Sequence, residues 1–229
     1  VETAPPILRH RKALLTLAAL LLAALALWSL RAGALYVVQF RVHSHIDQWY
    51  AAPDHPPAAS EVNALENDAR SALAWAPADP AMLDALGRLY YYHATAITPA
   101  GQQRNALLHK AAACFRKLIA QRPAWPYGYA GLLSIKAELG EYDAEQADTL
   151  LHLIRLGPWD NAILPSLLRW SMWSWPFLPD DKREPVRHYL QRVAEQRQQD
   201  MRQTLEQTGG LAYYCIAIAA PDTHSPLCD

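Results

Sequence analysis

The sequence predicts an all-α fold in which one N-terminal transmembrane helix is followed by a stack of helical hairpins with a helical C-terminal cap. Three observations predict it. Residues 13–30 form an uninterrupted apolar run; the chain from residue 60 onward carries apolar positions at helical spacing; and its prolines gather at the ends of those segments, where they punctuate helices.

The anchor, ALLTLAALLLAALALWSL, holds nine Leu and six Ala in 18 residues. As a helix it reaches about 27 Å, close to the thickness of a hydrocarbon core. Its leucines alone favour insertion by about 3 to 5 kcal/mol. Residues 32–38 extend the apolar stretch once Arg31 snorkels. Arg9, His10, Arg11 and Lys12 precede the run and mark the cytoplasmic side by the positive-inside rule, against the sparser Arg31 and Arg41. The rest of the chain is then periplasmic, on an inner-membrane protein of one span. A cleaved leader is the competing reading, but the run is longer than such segments and Arg31 falls in the would-be cleavage region.

After the anchor, QFRVHSHIDQWY (residues 39–50) reads as a continuation of the helix or as an amphipathic neck near the lipid surface, so residues 1–50 form a cytoplasmic tip, anchor and neck. AAPDHPPAA, residues 51–59, reads as a hinge with three prolines. Ser60 and Glu61 open the first soluble helix, which closes at APADP, residues 76–80.

Residues 60–160 carry an internal repeat. In LDALGRLY, Leu83, Leu86, Gly87 and Tyr90 stand at the spacing of the first helix of a tetratricopeptide repeat. The steps place one apolar stripe on a helix face, and Gly87 admits a close neighbour. Ala111, Phe115 and Pro123 match the second helix, after a loop from His93 to Arg104 about a dozen residues too long for the 34-residue unit. A second unit is looser: Tyr129, Leu132 and Leu133 fit, Lys136 stands where Tyr is usual, and LGEYDAE and LGPWD supply its turn and its stop. Glu61 to Ala76 resembles the second helix of an earlier unit.

Residues 161–229 form a helical extension and cap. Residues 161–175 hold Trp170, Trp173 and Trp175. Asp180 and Asp181 cap a long polar helix from Lys182 to about Gln207, ended by Gly209 and Gly210. Residues 211–220, LAYYCIAIAA, are too few to span a bilayer and read as a buried capping helix or strand.

Bulk composition narrows the function. A formal charge of −1 with 19% charged residues offers no basic field for nucleic acid. Eight Trp and eleven Tyr against three Phe suit interfaces that stay partly wet. No phosphate-cradling glycine loop, zinc-protease helix or nucleophile elbow occurs, so neither catalytic residues nor a cofactor are expected. His43 and His45 are two apart, a spacing unsuited to one face of a helix, and no metal is expected there. Cys114 reads as a small buried hydrophobe. Cys215 and Cys228 are candidates for a disulfide if this part lies outside the cytoplasm.

In a tetratricopeptide-like stack the first helices line a concave groove. On that mapping Asp84, Arg88, Tyr91, Tyr127 and Ser134 are the candidate partner-binding residues, and the 93–104 loop is a further contact. The expected function is a membrane-anchored scaffold that holds protein partners. The alternative is an accessory glycan-binding protein or enzyme using the Trp-rich segment, since aromatic faces stack on sugar rings.

At KAELGEYDAE, RLGPWD and LLRWSMWSWPFLPDDKREPVR, the sequence resembles the VpsP-type polysaccharide biosynthesis proteins, single-anchor bacterial proteins with tetratricopeptide-like domains. The resemblance covers residues 123–196 best. It implies envelope exopolysaccharide biosynthesis or export as the context, partners within a membrane polysaccharide-synthesis complex, and no catalytic residue.

Overall fold

The computed structural model describes residues 6–219 and 225–228, with side chains from residue 12 onward. Arg9, His10 and Arg11, on which the orientation argument leans, lie outside the described side chains, as does Ala220. The protein is all-α: among the described residues there is no strand.

Helix α1 spans Pro6–Ala51 as one element of 46 residues. From Ala13 to Leu30 it is exposed on every face, and the helix is long and apolar enough to cross a membrane. Its last third is different. Val42 and Ile46 are fully buried and Trp49 nearly so, all in one core with the hairpins. The neck thus continues the anchor helix, one of the two readings of residues 39–50, and forms the first wall of the helical stack in place of an amphipathic segment at the lipid surface.

Helix α2 (Ala59–Trp75) folds back along α1, and α3 (Pro80–Tyr92) packs on both. Thus α1 and α2 form the earlier hairpin whose second helix alone is legible in sequence. Helix α2 opens on Ala58 with no side-chain cap, leaving Ser60 inside its first turn. Asp79 caps α3, accepting from the Met82 amide at 2.9 Å, and Pro80 follows at the first helical position.

The expected 93–104 loop is mostly helix. Residues His93–Ile97 continue α3 as a π-turn, and α4 begins at Gln102 and runs to Gln121. The extra residues lengthen the hairpin, leaving only residues 98–101 as a turn. Buried His93 anchors the π-turn through its Nδ1, 2.6 Å from Glu66 Oε1 on α2.

Helix α5 (Pro126–Leu139) and α6 (Ala144–Leu156) make the next hairpin. Gly140 turns the chain at φ 70°, a left-handed conformation that favours glycine, and the Glu141 amide returns to the Lys136 carbonyl. Beyond it α7 (Leu164–Ser174) ends in a 3-10 turn at Trp175–Phe177. The long polar helix is two helices, α8 (Asp180–Gln196) and α9 (Gln198–Gln207), broken at Arg197. Asp180 and Asp181 lie within the first turn of α8 instead of preceding it.

The C-terminal segment is the short α10 (Leu211–Tyr213) and a π-turn, Tyr214–Ile218. Only Tyr214 and Ile218 of it are buried, whereas Ile216 is 86% exposed, so this cap covers the stack along one edge only. The sulfurs of Cys215 and Cys228 stand at bonding distance, with Cα atoms 5.6 Å apart.

Two apolar cores result. One joins the end of α1 with α2, α3, α4 and part of α5; the other joins the rest of α5 with α6 to Leu227. Phe115 of α4 locks neighbouring hairpins together. Its ring lies where a Cβ on Gly131 would be at 2.5 Å, too close without a shift, and one on Gly87 at 3.0 Å, a tight contact that the ring would have to yield to by a few tenths of an ångström.

Candidate groove on the concave face

Because α1, α3 and α5 are the first helices of successive hairpins and α7 packs beside α5, their flanks face one hollow. It has a volume of about 630 Å³ and receives residues from all four helices and from the α4–α5 connection. All five residues selected from the repeat spacing line it: Asp84, Arg88 and Tyr91 from α3, and Tyr127 and Ser134 from α5. Ile46, Phe115, Gly131 and Ile163 supply its apolar floor. Tyr50, Trp125 and Trp170 add aromatic rings.

A polar chain crosses the α1–α3 side. Arg88 Nη1 lies 2.8 Å from His43 Nδ1. A guanidinium can only donate, so Nδ1 accepts and the imidazole proton sits on Nε2, which faces Asp84 Oδ2 at 3.6 Å. Burial, with Arg88 beside it, lowers the His43 pKa and keeps the ring neutral. Arg88 also reaches Asp47 Oδ1 at 3.4 Å. Burial raises the Asp84 pKa to about 6, against the pull of Arg88 and Arg122.

The remaining candidates are held more locally. Burial pushes the Tyr91 hydroxyl up to about 12. Tyr127 donates to Asp160 Oδ2 at 2.8 Å across to the α6–α7 connection, and that bond raises its pKa. The Ser134 hydroxyl bonds its own helix, donating to the Ala130 carbonyl at 3.1 Å.

The groove residues sequence reasoning missed include Gln39, His43, Ile46 and Tyr50 of α1, besides Arg122, Trp125 and Ser166. The α1 steps of four, three and four mark one helix face, a signal available in QFRVHSHIDQWY once the neck is aligned as a first helix. His45 turns elsewhere, its Nδ1 on the Arg41 carbonyl. In the Trp-rich segment, Trp170 and Trp175 are buried and Trp173 is half-exposed under Arg169. Cys114 is buried, and burial raises its thiol to about 11. No cluster of three metal-ligating side chains occurs among the described residues.

Fold and groove together define a stack of helical hairpins of tetratricopeptide-like layout whose first helix is long and apolar enough to cross a membrane. No family model matches the sequence, and no curated protein matches it. Among solved structures the chain is similar to one described as the crystal structure of MamA protein, with a TM-score of 0.46 and 12% identity over 76% of this chain and 84% of that one. A likeness at that level carries no assignment of function.

Proposed function

We propose that the chain is a membrane-anchored, periplasm-facing scaffold whose concave groove binds a protein segment, and that it serves envelope exopolysaccharide biosynthesis or export. The observation that carries the binding role is the gathering of Asp84, Arg88, Tyr91, Tyr127 and Ser134 with the neck residues around one hollow. Tyr and Arg are residues that contribute most at protein contacts, through area combined with hydrogen bonds. The groove acts by binding, with no chemical step. The leading basic cluster supports the orientation, and the sequence resemblance supports the polysaccharide context. In that oxidising compartment Cys215 and Cys228 form a disulfide.

A photocrosslinking amino acid at Tyr127, inside the groove, is expected to capture a discrete envelope protein in cells. The same group at Ala113, on the outer face of α4, is expected to capture none. Equal capture at both positions, or none at either, would sink the reading.

The groove's aromatic rings favour a second reading, an accessory glycan-binding protein. Saturable quenching of Trp fluorescence by oligosaccharides, with no protein captured at Tyr127, would establish that one instead.

A further inference from the structure

We propose that the corner joining α2 to α3 is a second membrane contact, a tip that rests on the lipid headgroup region beside the anchor. The proposal depends on residues 13–30 spanning a bilayer, and it adds a contact that such a span does not require.

Helix α2 runs back along α1 toward the anchor, with Arg41 pairing to Asp68 at 3.3 Å on the way. It ends where the Arg31 guanidinium donates to the Trp75 carbonyl. Arg31 is the first residue past the apolar run, so Trp75 stands level with the end of the hydrocarbon segment. A pocket at this height brings Trp28, Arg31 and Tyr36 of α1 against Ala76 and Asp79 of the corner.

The corner's surface is unusual for a soluble turn. Residues 71–78, SALAWAPA, carry no charge, and Trp75 is 70% exposed with Pro77 and Ala78 open beside it. Trp28 and Tyr36 are similarly exposed on α1. Exposed Trp and Tyr spread over about 12 Å of helix axis on either side of an arginine form the pattern that partitions to the bilayer interface, where the ring is half-apolar and the polar edge is wet. The Arg31 bond also satisfies a carbonyl left free at the end of α2, in a region poor in water donors.

The corner cannot swing away on a hinge. Helix α1 is unbroken from the anchor to Ala51, and Val42, Ile46 and Trp49 are buried in the core that α2 and α3 complete. The height of Trp75 is therefore set by the anchor.

The test uses the full chain in vesicles of phosphatidylcholine and phosphatidylglycerol. Nitroxide labels are placed singly through Trp75→Cys, Trp28→Cys and, as a control, Phe177→Cys. All three positions are exposed, so the fold tolerates the labels, and Cys114 is buried. Collision with oxygen relative to a water-soluble nickel chelate is expected to be several-fold higher at 75 than at 177, approaching the value at 28. A value at 75 equal to that at 177, with 28 still lipid-like, overturns the corner contact and leaves the anchor standing. Aqueous values at both 28 and 75 overturn the anchor and the corner together.

Discussion

Single residues decide how this protein responds to pH. Asp84 keeps its proton in the folded state at pH values where an unfolded chain has released it, because burial raises its pKa from 3.8 to about 6. Folding then takes up a proton at Asp84 between those values, and its contribution to stability falls as pH rises through the window, whereas His43, with its lowered pKa, contributes the opposite slope below 6.5. Asp84→Asn is expected to flatten that dependence and to raise stability at pH 7.5 by up to about 3 kcal/mol, read from melts at pH 5 and 7.5. Lys136 acts in the opposite range. Its ammonium is 1% exposed and donates to Glu141, Asp143 and Glu145 at 2.9 to 3.0 Å. Burial works against its charge, yet those bonds prevail and its pKa is raised. Glu145, held first by Arg116 and then by Lys136, has its pKa lowered to about 2. That stabilisation is complete above the ordinary carboxylate range and is lost as pH falls toward 2. Lys136→Met should therefore lower the melting temperature at pH 7 and shrink the gap between pH 7 and pH 2.5. An unchanged gap would show that the cluster adds nothing.

At the scale of elements, the fit between hairpins turns on Phe115. Gly131→Ala puts a Cβ against a ring enclosed by α3 and α5, and it is expected to cost about 1 to 3 kcal/mol by overpacking, measured by denaturant unfolding. Gly87→Ala, with more room, should cost less. These elements also show what sequence makes legible. LDALGRLY discloses α3 because its apolar steps and its glycine are local. Asp84, Arg88 and Tyr91 follow as the flank between packing positions, and Tyr127 and Ser134 follow by the same mapping onto α5. The neck hides its role because it adjoins a segment apolar on all faces, so its narrower stripe of Val42, Ile46 and Trp49 does not stand out. The break at Arg197 is silent for another reason. No Gly or Pro marks it, and the bend is held by a local pair, Arg197 to Asp200 at 2.5 Å, together with a tertiary one, Arg197 to Asn161 at 3.0 Å. Likewise the insertion after Tyr92 becomes helix through His93 and Glu66, partners 27 residues apart.

Across the whole molecule, stability is divided between two cores that meet along α5, with Ile119 touching both. Such a stack can open from one end while the other stays closed. The C-terminal segment is tied back by the Arg187 bond to the Ile218 carbonyl, by the Gln198 bond to the Pro226 carbonyl, and by Cys215 and Cys228, 13 residues apart. A crosslink over so short a loop is worth about 3 kcal/mol in the chain-entropy treatment. Reduction is accordingly expected to speed amide exchange in residues 211–219 and across α8, while α2 to α4 keep their protection. Uniform acceleration along the chain would show the two cores to be one cooperative unit.

If the proposed anchor spans a bilayer, the unbroken α1 gives bilayer thickness a say in where the groove points. A rod that answers hydrophobic mismatch by leaning carries with it whatever is built on its upper end, and here that is the wall bearing His43, Ile46 and Tyr50. Lean becomes aim: in a thinner membrane the hollow inclines further from the vertical, and the set of neighbours it can face changes without a single internal contact being remade.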